Sequence, residues 1–304
     1  MIYLANRTDA TSFALACLLA AVAVCVATTA RTARGDDSLS QLRGDVRRPS
    51  LPDDDDDDSS SHHRSHDDDH HSHDDHYHSS IEGDLVILGA YAAGYVATSP
   101  IWVPQKILRD DMNMDGYFAR FPYAEGLPGY MMIEPYIVAE PYSWAGRLRG
   151  EFADDFTGVE RFGGHLLLES TSRWGIDTET NYRRQDLFPL DDDSLWTGDA
   201  NVVFRFAQND RVQMRAGVGF NWLTDREQTD FGFNFTYGGD LFPCKPWVFS
   251  ADIDLGSLGN ATLFHVRATG GIQWRGVELY TGYDYFDVGN TQIDGWVSGV
   301  RIWF

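Results

Sequence analysis

Residues 296–304 read Trp296-Val297-Ser298-Gly299-Val300-Arg301-Ile302-Trp303-Phe304. Side chains along a strand alternate between two faces. Trp296, Ser298, Val300, Ile302 and Phe304 therefore share one mostly apolar face, which ends on an aromatic residue at the carboxyl terminus. A strand with an apolar face and no polar tail is expected as the closing strand of a membrane barrel, where it pairs with the first strand and faces lipid.

The same period of two runs upstream. Val212, Met214, Ala216, Val218, Phe220 and Trp222 alternate with Gln213, Arg215, Gly217, Gly219 and Asn221. Phe231, Phe233, Phe235 and Tyr237 alternate with Gly232, Asn234, Thr236 and Gly238. The pattern predicts strands at 145–153, 159–169, 173–183, 200–207, 211–222, 230–238, 247–255, 261–274, 277–286 and 293–304. An even number of strands lets the first and last pair antiparallel, so the expected fold is all-β: a closed antiparallel transmembrane barrel of about ten strands.

With both barrel termini periplasmic, the connections at Ser170-Thr171-Ser172, Gln208-Asn209-Asp210, Gly239 to Pro246 and Arg275-Gly276 face the periplasm and should be short. Those at the other end should be longer, led by Arg184 to Asp199 with its Asp191-Asp192-Asp193 run.

The minor face carries Arg147, Arg149, Arg173, Arg183, Arg205, Arg215, Arg267 and Arg301 against Glu151, Glu169, Asp177, Glu179, Asp252, Asp254, Glu278 and Asp284. A basic side chain facing lipid costs about 2–4 kcal/mol at the bilayer midplane, so these charges are expected inside, as a salt-bridge lattice that fills a narrow lumen. Inward glycines would leave room for them. The opposite face carries Trp174, Tyr182, Phe204, Phe206, Trp222, Trp247, Trp274, Tyr283, Tyr285, Trp296 and Phe304, the residue types of aromatic girdles. The competing arrangement is a soluble β-sandwich or lipocalin-like barrel, with the apolar face inside and the charges outside.

The terminal strand and these alternating strands resemble those of small bacterial outer-membrane β-barrel proteins, over roughly the second half of the chain. The resemblance implies an outer-membrane location in a Gram-negative-type envelope, contact with outer-membrane lipid, and recognition of the terminal aromatic residue by the barrel-insertion machinery.

The chain has 304 residues and a formal charge of −22, which argues against nucleic acid as a partner. Residues 1–35 read as a signal peptide, with Arg7, an apolar run from Phe13 to Thr29, and small residues at Ala27, Thr28, Thr29 and Ala30. An uncleaved anchor is the alternative. The residues before Cys17 and Cys25 make poor lipoprotein signals, and cleavage would leave Cys244 alone, in a turn-like Phe242-Pro243-Cys244-Lys245-Pro246.

Residues 36–80 are rich in Asp, Ser and His and show no apolar period, so a disordered tether is expected. It holds His62, His63, His66, His70, His71, His73, His76 and His78 among aspartates. Such an array is a candidate for weak, multi-site binding of Zn, Ni or Cu; the alternative is a plain solvated spacer. Residues 81–144 are expected to be a periplasmic lead-in or a plug. Within them Leu85 to Thr98 is apolar but too short to span a bilayer as a helix. Asp111, Asn113 and Asp115 hint at a calcium loop, but Pro122 stands where its closing Glu belongs.

Three roles remain open. The first is a structural, binding or envelope-integrity barrel with a narrow lumen. The second is a transport barrel for a small solute or metal ion, with the tether buffering metal. The third is a barrel hydrolase in which Asp252 orients His265 to activate water or a hydroxyl.

Overall fold

Every strand from residue 144 onward pairs antiparallel with the next, and the last returns to the first. The computed structural model describes residues 37–48, 108, 110, 114–134, 137–187 and 192–304. The barrel strands are β3 (Trp144–Asp154), β4 (Val159–Ser170), β5 (Trp174–Gln185), β6 (Asp193–Gln208), β7 (Val212–Thr224), β8 (Thr229–Leu241), β9 (Trp247–Leu258), β10 (Ala261–Trp274), β11 (Val277–Val288) and β12 (Thr291–Trp303). β12 closes on β3 in register from Trp296↔Asp154 to Trp303↔Arg147, so the ladder has no free edge. Ahead of the barrel stand a helix, α1 (Ser38–Arg47), and a small antiparallel pair, β1 (Gly116–Phe118) and β2 (Met131–Ile133).

Burial is inverted relative to a water-soluble domain. Arg147, Arg149, Arg183, Arg205, Arg215, Arg267 and Arg301 are at most 2 % exposed. Meanwhile Trp174, Ile176, Val218, Phe233, Leu279 and Trp296 are more than half exposed on the outer wall. Because arginine is the costliest side chain to place in hydrocarbon and leucine among the cheapest, this wall is built for lipid and the soluble alternative is excluded.

Aromatic residues pair across strands near both rims. Trp174 meets Phe204 with ring centroids 5.0 Å apart, Tyr182 meets Trp196 at 5.0 Å, and Phe152 meets Phe162 at 5.1 Å. Trp174 and Tyr182 lie on one strand, about 26 Å apart at roughly 3.3 Å per residue. A tilt of about 40° reduces this to about 20 Å along the axis, close to the ~25 Å apolar band of an outer-membrane barrel.

The structure changes several details. β6 begins at Asp193, so much of the expected outward loop from Arg184 is strand. The connections at that end are not uniformly long: Gly259-Asn260 and Gly289-Asn290 are two-residue turns in which each glycine has positive φ (58° and 64°), as tight hairpins require. Phe206 is only 3 % exposed, because the register slips between Phe204 and Ala207 and brings its ring 5.5 Å from Tyr237. Tyr285, also expected on the lipid face, is buried beside Phe264 at 6.0 Å. The largest departure is α1, which lies inside the stretch expected to be tether.

Candidate functional site

The barrel has a termini end, where Trp144 and Trp303 lie, and a hairpin end, where the turns at 259–260 and 289–290 lie. α1 closes the hairpin end. Its start is fixed by Asp37, whose side chain accepts from Ser40 N at 3.1 Å, and its last turn by Arg48 N donating to Gly44 O at 2.9 Å. Leu39, Leu42 and Val46, spaced three and four apart, form its buried stripe. They are 0–1 % exposed, packed with Leu195, Leu223, Leu258, Leu263, Phe286 and Val288 from five strands.

Polar contacts ring that apolar seat. Arg43 pairs with both oxygens of Asp193 and lies 3.0 Å from Asp225. Arg47 reaches Asp225 at 2.9 Å and Asp230 at 3.0 Å. Asp45 accepts from Asn290 N at 3.0 Å and Thr291 Oγ1 at 2.9 Å, and Asn260 N donates to Val46 O at 2.8 Å. The hydrogen bond to Asp193 raises the pKa of Arg43 despite burial. Burial works against the charge on Arg47, but Asp230 and Asp225 outweigh it and raise its pKa. Burial would raise Asp225, yet amide hydrogen bonds from Gln228 and Glu227, with Arg47 beside it, hold it below the usual carboxylate range.

Below α1 the lumen is filled by charge. Glu179 accepts from Arg149 Nη2 at 2.5 Å and from Arg267 at 2.6 and 2.8 Å. Glu151 lies 3.0–3.1 Å from Arg149, Arg161 and Arg267 and accepts from Tyr280 at 2.8 Å. Asp252 takes Arg215 at 2.6 Å, and Asp240 takes Arg147 at 2.5 Å and Arg215 at 2.8 Å. The ladder explains the layering. One paired row runs Glu278, Arg301, Arg149, His165, Glu179, Asp199 across β11, β12, β3, β4, β5 and β6. Glycine makes the room: a Cβ on Gly271 would stand 2.3 Å from Glu278 Oε1, and one on Gly238 2.6 Å from Asp252 Oδ1. The sixteen charges expected inside are there, fifteen of them buried and Asp252 partly so. Arg161 and Asp240 join them: Arg161 shares the parity of Glu169 on β4, and Asp240 stands near the end of β8, in a stretch the sequence pattern assigns to a connection.

The structure does not bring Asp252 onto the ring of His265. Asp252 faces Arg267 across the ladder and is held by Arg215. His265 faces Asp254, with Nδ1 3.2 Å from Asp254 and Nε2 2.9 Å from Asp284. Each ring nitrogen thus contacts a carboxylate, where a general base needs one nitrogen directed at the proton it takes. The eight tether histidines from His62 to His78 lie outside the described residues. Among the described residues, no group of three or more His, Cys, Asp or Glu side chains is arranged to hold a metal.

The termini end is closed by residues 114–134. Phe118, Tyr130, Phe242 and Trp303 form an aromatic cluster, with Tyr130 5.0 Å from Trp303 and 5.5 Å from Phe118. The Arg205 guanidinium stacks 4.7 Å over Phe118. Asp110 receives both Arg173 terminal nitrogens at 2.6 and 2.8 Å, and Gln208 N at 3.0 Å. Gly129 passes so close to the β6–β7 turn that a Cβ would stand 2.0 Å from Asp210 O.

No protein-family model matches the chain, and no curated protein is significantly similar to it. Among solved structures, the chain is similar to the Yersinia pestis outer membrane protein Ail in a phospholipid bilayer nanodisc: 12% identity, 53% of this chain and 99% of that one, TM-score 0.31. A chain from a study of the in-meso crystallization of membrane proteins matches at 10% identity, over 53% of this chain and 82% of that one, TM-score 0.23. The membrane assignment rests on the barrel's own two faces.

Proposed function

We propose that the chain is a sealed outer-membrane barrel of a Gram-negative-type envelope, with a structural or binding role and no conducting pathway. One observation carries this reading: the lumen cross-section is filled by hydrogen-bonded arginine–carboxylate pairs, and both mouths are covered. Ion pairs of this kind are expensive to leave half-made in a low-dielectric interior, so the lattice resists opening. Outer-membrane lipid is the surrounding partner. Phe304, whose backbone exchanges hydrogen bonds with Gly146 at 2.6 and 2.9 Å, is the residue offered to the insertion machinery before closure.

Planar-bilayer recording on the refolded chain tests it. The expected trace is flat at physiological salt. Stable ohmic steps would overturn it in favour of transport of a small solute or metal ion. Metal buffering by the histidine-rich stretch is a separate proposal, supported by its ligand chemistry; zinc titration of the full chain against one with those histidines replaced reads it directly.

A further inference from the structure

We infer that the hairpin mouth is a socket for a short cationic amphipathic helix in general, filled in cis by α1 and able to take a separate peptide of the same pattern. Complementarity on two faces supports this. The floor is apolar, from Leu195, Leu223, Leu258, Leu263 and Phe286, and accepts side chains at helical positions 39, 42 and 46. The rim is acidic, from Asp193, Asp225 and Asp230, and accepts guanidinium groups at positions 43 and 47. An amphipathic helix laid in a groove with anchors at i, i+3 and i+7 is a recurrent mode of peptide recognition.

The occupant is suited to exchange. α1 has ten residues, and its outer side, Ser40, Gln41 and Gly44, is exposed. The latching side chains of Arg43 and Arg47 retain 20% and 21% exposure, so water reaches the ion pairs. In the sequence, residues 48–143 separate α1 from the first barrel strand. A helix joined to its seat through that many residues competes with a free peptide at a finite effective concentration. Below the apolar floor, the carboxylates of Asp199 and Asp254 line the same cavity as Leu258, Leu263 and His265.

The test uses the full-length chain in micelles carrying Leu42→Asp and Val46→Asp, which evicts its own helix, and a fluorescent peptide with the unaltered sequence of residues 37–48. Saturable binding at least tenfold tighter than to the unaltered chain is expected. Absence of saturable binding, or equal binding of a scrambled peptide, overturns the inference. Should the variant fail to fold, the unaltered barrel carries the test: its own cysteines are replaced by serine and a fluorophore is placed at Arg48→Cys. Excess peptide is then expected to free the label and lower its anisotropy, and an unchanged anisotropy overturns the inference. Conductance reports on the lattice beneath, so a leaking lumen and a failed socket are distinguishable results.

Discussion

Arg301 Nη1 lies 2.8 Å from Glu278 Oε1, with both side chains at 0% exposure. The two sit directly opposite on β12 and β11; Arg301 Nη1 also donates to Glu278 Oε2 at 3.0 Å, and Trp303 Nε1 donates to the same oxygen at 2.9 Å. Removing one partner of a buried ion pair leaves an uncompensated charge, whereas replacing both by apolar groups is often tolerated. Glu278→Met is therefore expected to cost about 3–5 kcal/mol, and Glu278→Met with Arg301→Met together to cost less than the single change. Urea titration of the folded barrel in vesicles measures both; a double variant worse than the single one contradicts the pairing.

Glu179 and Asp199 are also ladder neighbours but should respond oppositely. Glu179 receives two arginines, so Glu179→Gln is expected to cost about 3–5 kcal/mol. Asp199 receives Asn201 Nδ2 at 2.8 Å and no cation among the described residues. Asp199→Asn is expected to leave stability unchanged or raise it. Equal losses in the same titration would show that the lattice does not distinguish them.

The seating of α1 should depend on acid, not base. Asp225 is held below its ordinary pKa in the folded chain, so its contribution is present above the unfolded carboxylate value and is lost as pH falls through the folded one. Arg43 and Arg47, raised above theirs, contribute at every pH below the guanidinium range. A label at Arg48→Cys is expected to stay immobile from neutral pH down to about 4, the ordinary carboxylate value, and to loosen below it. Loosening between pH 6 and 8 would place the control elsewhere.

On the outer wall, Val218 lies mid-strand, 53% exposed and opposite Val202 and Phe235. Val218→Arg should cost about 2–4 kcal/mol in a bilayer. Insertion into vesicles with an unchanged urea midpoint would mean the wall does not face lipid there.

The barrel was legible in the sequence because one alternation encodes two solvents: Arg215 and Val218 differ in parity, and parity alone assigns them to lumen and lipid. The lattice followed from the same parity, but its pairing did not. Which carboxylate meets His265 depends on the stagger between β9 and β10, and a shift of two residues exchanges Asp252 for Asp254 without altering either face. α1 was hidden for a different reason. Its stripe is only Leu39, Leu42 and Val46, Gly44 lowers its helix propensity, and a chain this short is marginal alone. Its order comes from the mouth it fills, which no local pattern records. The capping Asp37 before that stripe was the available signal.

The most direct measurement is tryptophan fluorescence in vesicles made with brominated acyl chains. Trp144, Trp174, Trp196, Trp247, Trp274 and Trp296 are 45–71% exposed on the outer wall. Strong quenching by the bromolipid, with little by aqueous acrylamide, is the predicted result. Efficient acrylamide quenching with no response to bromine would contradict a barrel that turns these rings to lipid and its arginines inward.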